Sequence, residues 1–123
     1  MTEFTVHLAN RPGSLADLAE RLADAGVNIE ALAAIGMDAT GTARLLVDDE
    51  PTTRRVLEHH GMSFEERRVI ITMLPDRPGS VAVMTRQLAD AGMNIDAMYL
   101  LRSSPDGLEF AVAVDDEAER IAS

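Results

Sequence analysis

The sequence predicts an α+β fold that is built twice in tandem, from two similar units of about 60 residues each. The first observation is a repeat: residues 11–32 align with residues 77–98, and 13 of these 22 positions are identical. The second is that each copy switches between the hydrophobic period of a strand and that of a helix. The third is a Pro-Gly turn at the same place in both copies, where a strand ends and a helix begins.

The first copy predicts the order strand, helix, strand, strand, helix, strand. Residues 4–8, for example, alternate apolar and polar side chains, as a half-buried strand does. Ser14 with Asp17 resembles a capping box at the start of the first helix, and Gly26 suits a left-handed cap at its end. Asp49 can cap the second helix. The predicted strands are 4–8, 28–35, 42–47 and 62–65, and the predicted helices cover 15–23 and 52–60.

The second copy repeats this order, with predicted elements at 69–74, 78–91, 94–102 and 108–114 and a last helix that opens at 115–117. The order βαββαβ with right-handed crossovers gives an antiparallel sheet with both helices on one face, the ferredoxin-like arrangement. We expect two domains, residues 1–66 and 67–123. We also expect the second domain to lack its last strand, which leaves strand 69–74 as an uncovered edge.

The sheet face that points away from the helices differs between the copies. Its first-strand residues are polar in one copy and apolar in the other, since Glu3, Thr5 and His7 align with Val69, Ile71 and Met73. In the second copy, Met98 and Leu100 are apolar on the face opposite Ile95, Ala97 and Tyr99. A sheet that is apolar on both faces has to be covered on both. We expect an assembly surface, between the halves or between chains; burial by the linker and the C-terminal tail is the alternative.

Composition excludes several function classes. The net charge is −10, from 11 basic and 21 acidic residues, and neither half carries a basic patch, so nucleic-acid binding is disfavoured. The chain has no cysteine and therefore neither disulfides nor thiol chemistry. No apolar run is long enough to span a membrane, and no segment resembles a signal peptide, so we expect a cytoplasmic protein that does not contact membranes.

Neither a metal site nor a catalytic site stands out. His59 and His60 are adjacent on a predicted helix and point to different sides, which indicates surface residues. The acidic clusters 48–50 and 115–117 lie at helix starts, where acids complement the helix dipole. There is no Ser-His-Asp set, phosphate-binding loop or dinucleotide fingerprint. We therefore predict no metal, no cofactor and no enzymatic activity.

The repeated loop is the best candidate for a binding site. The first amides of a helix point outward unpaired and carry a partial positive charge, so a small carboxylate is a natural ligand. Glycine in the loop lets a ligand approach the backbone closely. Asn28 and Asn94, at the start of the next strand, can both donate and accept hydrogen bonds. An amino acid's ammonium and carboxylate groups would suit such a site, although a turn that merely begins a helix explains the same residues.

The combination of these motifs resembles the ACT domain, a small regulatory module that binds amino acids. The shared pattern is a strand, Asn/Asp-x-Pro-Gly-x-Leu/Val-Ala, a helix, Ala-Gly-x-Asn-Ile and a second strand. The first copy carries it as Asn10, Pro12, Gly13, Leu15, Ala16, Gly26, Asn28 and Ile29. The second copy carries it as Asp76, Pro78, Gly79, Val81, Ala82, Gly92, Asn94 and Ile95. As a whole the chain is similar to small stand-alone proteins that consist of two ACT domains.

The resemblance implies where a ligand binds. ACT domains pair side by side, and the ligand lies at the pair interface, against the strand-to-helix loop of one domain and the second strand of its neighbour. The implied ligand-binding residues of the first copy are Asn10, Arg11, Pro12, Gly13, Ser14, Leu15, Asn28 and Ile29. Those of the second copy are Asp76, Arg77, Pro78, Gly79, Ser80, Val81, Asn94 and Ile95.

Two differences within this set bear on affinity. Asp76 replaces Asn10, and an acid there favours a cationic group such as an α-ammonium, so we expect the two sites to differ in affinity. Arg11 and Arg77 either bind a ligand carboxylate or are solvated. The resulting prediction is a non-catalytic regulatory protein, a homodimer, that binds a small amino acid and signals to an enzyme or transcription factor by a change of assembly or shape. The alternative is a structural or oligomerisation module that does not bind a ligand.

Overall fold

The computed structural model describes residues 1–115, which fall into two units, Met1–Arg68 and a second that begins at Val69. The elements of the first unit are β1 (Thr2–Ala9), α1 (Ser14–Asp24), β2 (Ile29–Met37), β3 (Thr40–Val47), α2 (Glu50–His59) and β4 (Phe64–Arg68). Those of the second are β5 (Ile70–Leu74), α3 (Ser80–Asp90), β6 (Asn94–Ser104) and β7 (Gly107–Asp115). None of the helices in this part of the chain is long and apolar enough to cross a membrane.

Each unit has one antiparallel sheet, and the ferredoxin-like prediction is confirmed. The strand order is β2-β3-β1-β4 in the first unit and β5-β7-β6 in the second. In the first unit β1 is central and pairs antiparallel with both β3 and β4. The second unit follows the same β-α-β-β path through its described residues. The last helix was predicted to open at 115–117; Asp115 ends β7, and residues 116–123 lie outside the described part of the chain.

The core of the first unit forms between its sheet and its two helices. Phe4 and Val6 on β1 are fully buried, as predicted, but Thr5 between them is buried too, so the prediction of a half-buried strand is wrong for this part of β1. They belong to one cluster with Leu18 and Leu22 of α1 and Leu57 of α2. Because side chains from both helices meet the same face of β1, both helices cover one face of the sheet. This arrangement fixes the β1–α1 loop at the edge of a rigid core.

The start of α2 is capped as predicted. The Asp49 carboxylate accepts hydrogen bonds from the backbone amide of Thr52 at 3.1 Å and from its hydroxyl group at 2.6 Å. Pro51 lies in the first turn, where its missing amide proton costs no hydrogen bond. The hydrogen bond from the Thr52 side chain, followed by the one from its backbone, lowers the pKa of the Asp49 carboxyl group.

Asp49→Ala is expected to destabilise the first unit in a pH-dependent way. Because the pKa is lowered in the folded state, the cap stabilises the protein above the unfolded-state pKa, and this stabilisation disappears as the pH falls through the folded-state pKa. The Tm difference between wild type and Asp49→Ala should therefore be largest near neutral pH and shrink in acid. Asp49→Asn, which retains a good capping oxygen but cannot titrate, is the control. A Tm loss in Asp49→Ala that is equal at all pH values would contradict this role.

The second unit leaves β5 at the edge of its sheet, as predicted. β5 pairs only with β7 within the described residues. Of its side chains, Ile70 is 46% exposed and Met73 is 47% exposed, whereas Leu74 is buried. An edge strand with an apolar, uncharged sequence is one that natural proteins usually cover or pair.

The start of the fourth strand and the pairing of β6 differ from the prediction. The fourth strand begins at Phe64, two residues later than predicted, because the turn at Gly61 (φ 64°) ends with the amide of Met62 bound to the α2 carbonyl of Leu57 at 3.0 Å. In β6 the pairing register shifts between Ile95 and Ala97. This β-bulge interrupts the alternation.

The bulge changes which side chains share a face of the second sheet. Ile95 lies opposite Val114, and Met98 lies opposite Val112. Because Val112 and Val114 point to the same face of β7, Ile95 shares a face with Met98. The prediction that Ile95 and Met98 lie on opposite faces is therefore wrong.

Candidate functional site

The strand-to-helix loop of the first unit presents unpaired amides at the start of α1. Gly13 adopts a left-handed conformation with φ 89°, and α1 begins at the next residue without a side-chain cap. The amide of Ser14 donates to the carbonyl of Arg11 at 3.3 Å, and that of Asp17 donates to Gly13 at 2.8 Å. The two amides between them, of Leu15 and Ala16, have no acceptor among the described residues.

The capping box expected from Ser14 and Asp17 does not form. Ser14 is the first residue of the helix rather than its cap, and the cap position belongs to Gly13, which has no side chain to offer an oxygen. The prediction of a side-chain cap is therefore wrong. Its failure has a chemical consequence, because the helix start keeps two outward amides and its partial positive charge.

The loop of the second unit has the same geometry. Gly79 has φ 93°, and α3 begins at Ser80 without a side-chain cap. The amide of Ser80 donates to Arg77 at 3.4 Å, and that of Val83 donates to Gly79 at 2.9 Å. As in the first unit, the two amides between them have no acceptor in the part of the chain that is described; they belong to Val81 and Ala82.

Each loop borders a cavity, but the two cavities are not equivalent. In the first unit a cavity of about 140 Å³ lies between the loop and the β2–β3 hairpin. Its loop residues are Asn10, Arg11, Ser14 and Leu15, and its hairpin residues include Ala34, Ile35, Gly36, Gly41 and Thr42. In the second unit a cavity of about 530 Å³ lies between β5, the loop and α3. Its loop residues are Pro75, Arg77, Pro78, Gly79 and Ser80.

Asn10 has a structural contact that the sequence does not reveal. Its side-chain amide donates to the carbonyl of Asp38 at 2.8 Å, and its backbone amide donates to the carbonyl of Ala39 at 2.9 Å. The side chain lies against Gly36, where a Cβ would be only 2.6 Å from the Asn10 Oδ1. Asn10 therefore ties the loop to the β2–β3 hairpin. Asp76, its counterpart in the second unit, has a carboxylate and cannot donate such a bond when ionised.

Gly36→Ala is expected to destabilise the first unit by about 1 kcal/mol, the usual net value of one hydrogen bond, because the added methyl group displaces the Asn10 side chain from Asp38. In an Asn10→Ala background the same substitution should be neutral or stabilising, since alanine restricts the unfolded chain more than glycine does. Urea denaturation of the four proteins measures this coupling. Equal effects of Gly36→Ala in the two backgrounds would contradict the contact.

The two predicted halves of the site are separated within each unit. The amide of Asn28 donates to the Asp48 carboxylate at 2.8 Å, at the end of β2 remote from the hairpin. Asn10 contacts the other end of β2 at Gly36, and eight residues of strand span roughly 26 Å. Asn28 and Ile29 therefore cannot touch the same small ligand as the loop of their own unit. The same holds in the second unit, where Asn94 and Ile95 begin β6.

The hairpin residues of the first cavity were not among the predicted site residues. Gly36 and Gly41 flank the β2–β3 turn, and both fall between the predicted strands 28–35 and 42–47. Their approach to the loop depends on the pairing of β1 with β3, which places Leu8 opposite Gly41. A glycine in a strand can indicate that another part of the backbone approaches it closely. Which part approaches can be inferred only when the pairing register of the strands is known.

Comparison with known proteins is consistent with this geometry. Residues 2–60 match the family model of the ACT domain. No curated protein matches the chain in sequence. Among solved structures, a protein of Bacteroides thetaiotaomicron is similar with a TM-score of 0.84 at 21% identity, over 98% of this chain and 83% of that one.

Two further solved structures are regulatory subunits of aspartate kinase. The subunit from Thermus thermophilus has a TM-score of 0.69 at 16% identity, and that from Thermus flavus has 0.67 at 18% identity. Each comparison covers 98% of this chain and 86% of the other. At these identities the likeness concerns the fold. The match to the family model identifies residues 2–60, in the first unit, as an ACT domain.

Proposed function

We propose that the protein is a regulator that binds a small amino acid through the loops of its two ACT-like units. The observation that carries the proposal is the pair of amides left without acceptors at the start of α1 and again at the start of α3. Two adjacent amides at a helix start are suited to bind a carboxylate, and the helix dipole favours the negative charge. The left-handed glycine that precedes each helix leaves the approach open, because no atom lies within 4 Å of a Cβ built at Gly13 or Gly79.

The regulatory part of the proposal is supported by the family and by its solved relatives. The aspartate kinase structures from both Thermus species are of regulatory subunits. For this chain we propose a similar role in the cytoplasm. The chain binds the ligand, and a separate enzyme or transcription factor responds to the binding. Such a response requires that the ligand binds one assembly or conformation more tightly than another.

The separation of loop and second strand supports a site that needs two domains. Asn28 is too far from the loop of its own unit to complete the site there, and Asn94 is placed in the same way. We propose that these asparagines complete sites on a second copy of the chain, which makes the protein a homodimer. The substitution of Asp76 for Asn10 supports unequal affinities for the two kinds of site.

A thermal-shift screen against the common amino acids tests the proposal. A ligand that binds only the folded protein stabilises it by about 2.7 kcal/mol at a concentration 100-fold above its Kd, so at least one amino acid should raise the Tm clearly. Calorimetric titration with that amino acid should then reveal two classes of site. Identical sites would contradict the inequality of the two loops.

Matched charge variants locate the binding. Ala16→Glu combined with Ala82→Glu places a carboxylate in the first turn of α1 and α3, where it stabilises the helix and repels the carboxylate of a ligand. The control, Ala23→Glu with Ala89→Glu, adds the same charge near the other end of the same helices. We expect the first pair to abolish the Tm increase and the control to retain it. An increase that survives in the first pair would place the site elsewhere.

The alternative function is an oligomerisation module that binds no ligand. The apolar edge strand β5, with Ile70 and Met73 about half exposed, favours it. No Tm increase across the whole panel, combined with a stable dimer in light scattering, would support this alternative and contradict amino-acid binding.

A further inference from the structure

A second cavity of the first unit lies on the other side of the β1–α1 loop, between α1 and the connection from α2 to β4. Its volume is about 250 Å³. We call it the basic groove; the side chains that matter here are His7, Arg11, Asp17, Arg21, Met62 and Ser63. All of these residues belong to the first unit and lie within its described part.

The two arginines of the basic groove have no carboxylate partner. Among the described residues, neither Arg11 nor Arg21 has a carboxylate oxygen within 4.0 Å. Arg21 reaches only the Met62 Sδ, at 3.7 Å, which is a weak acceptor. In contrast, Arg44 and Arg54 of the same unit bind glutamates. The chain has a net charge of −10, so carboxylates are abundant. Two arginines that border one cavity nevertheless have no carboxylate partner in the described part of the chain.

The charge of Arg21 also affects a neighbouring histidine. The pKa of His60 is lowered by desolvation and then by the positive charges of Arg21 and His59. At the rim of the groove, His7 Nε2 lies 3.0 Å from the Glu65 carboxylate, so this histidine is already paired.

The second unit provides an internal comparison. At the positions of His7, Asp17 and Arg21 it has Met73, Val83 and Gln87, and these neutral residues line its larger cavity of about 530 Å³. Of the charged residues in the groove, Arg11 has an identical counterpart, Arg77. Because the second unit forms the same strand, loop and helix without the charges of Asp17 and Arg21, the fold does not require those two charges.

We propose that the basic groove binds a small ligand with two carboxylates and one ammonium group, an acidic amino acid. The guanidinium groups of Arg11 and Arg21 would each take one carboxylate, which they recognise through two parallel hydrogen bonds. The carboxylate of Asp17 would take the ammonium group, and the hydroxyl group of Ser63 adds a neutral partner. This set of two cations and one anion complements the charges of glutamate or aspartate. The proposal concerns a different cavity from the one beside the hairpin, although Arg11 borders both cavities, and it does not depend on the helix-start amides.

Calorimetric titration of the full chain with L-glutamate, L-aspartate and glutarate tests the proposal. We expect at least one of the amino acids to bind. Glutarate, which lacks the ammonium group, should bind at least fivefold more weakly than glutamate. No saturable binding of either amino acid, or equal binding of glutarate and glutamate, would overturn the proposal.

Substitutions separate this groove from the helix-start amides. Arg21→Gln introduces the residue of the second unit and should weaken binding at least tenfold, whereas Arg86→Gln, an exposed arginine on α3, should not change it. Asp17→Asn should weaken glutamate but not glutarate. Glutamine and asparagine suit these surface positions, and circular dichroism verifies the fold. Unchanged glutamate binding in Arg21→Gln, with a loss in Ala16→Glu/Ala82→Glu, would place glutamate at the loops and overturn the groove site while supporting the loop site.

Discussion

Arg44→Ala is expected to lower the free energy of unfolding by about 3 kcal/mol, the lower end of the cost of breaking a buried ion pair. The Glu3 carboxylate is completely buried on β1, and its Oε1 lies 2.7 Å from the Arg44 Nη1 on the neighbouring strand β3. Thr5 donates a further hydrogen bond to the same oxygen at 3.1 Å. Removal of the guanidinium leaves a buried negative charge without this cation, and that desolvated charge accounts for most of the loss.

The second unit supplies the matched control for this pair. Val69 stands at the position of Glu3, and Ala111 lies opposite Ile71 in the way that Arg44 lies opposite Thr5. The double variant Glu3→Val/Arg44→Ala therefore installs residues that the repeated fold already accommodates. We expect it to be clearly more stable than Arg44→Ala alone, because no buried charge remains. Urea denaturation at neutral pH measures the free energy of unfolding of both variants. Equal values for the single and double variants would contradict the claim that the buried Glu3 charge destabilises Arg44→Ala.

Leu22→Ala is expected to destabilise the first unit by about 2–5 kcal/mol, the range for a large-to-small change in a closed core. Leu22 is fully buried in the cluster with Phe4, Leu18 and Leu57. The loss combines the transfer of the leucine side chain with a cavity that the rigid surroundings cannot close.

The repeat again provides the control, because Leu88 is the counterpart of Leu22 on α3. No residue of α3 is buried in the described structure, and Leu88 is only partly covered. Leu88→Ala should therefore cost much less than Leu22→Ala. Separate unfolding transitions of the two units, or amide exchange measured residue by residue, would resolve the two effects. A loss in Leu88→Ala as large as that in Leu22→Ala would show that the two helices contribute equally to stability.

Local patterns predict much of this fold because they reflect the period of each element. The alternation of residues 4–8 places Phe4 and Val6 inside, and the helical spacing of α1 places Leu18 and Leu22 against them. Because the sequence repeats, the same pattern predicts the corresponding strand and helix of the second unit. Asp49 as a cap follows from the chemistry of its side chain alone.

Features that depend on long-range pairing could not be predicted in this way. The bulge between Ile95 and Ala97 puts Ile95 on the opposite face from the one that alternation predicts, and nothing in a local alternation reveals an inserted residue. The contact of Asn10 with Gly36 and Asp38 requires the hairpin to return beside the loop.

In the candidate site, too, local features were predicted from the sequence and long-range features were not. The sequence predicts a Pro-Gly turn between strand and helix in both loops, but the left-handed conformations of Gly13 and Gly79 and the start of α3 at Ser80, two residues later than predicted, were not predicted. The capping role of Ser14 was not correct, since a hydroxyl group at the first helical position is one residue too late to cap. The separation of Asn28 from the loop of its own unit follows only from the length of β2.

The central claim is that the unpaired helix-start amides bind the carboxylate of an amino acid. Nuclear magnetic resonance of the ¹⁵N-labelled protein, titrated with the amino acid that most raises the Tm, tests it most directly. The amide signals of Leu15 and Ala16, and those of Val81 and Ala82, should show the largest saturable shifts, because a new acceptor changes the shielding of their protons. If these four amides do not shift while signals elsewhere saturate with the ligand, the helix starts are not the binding site.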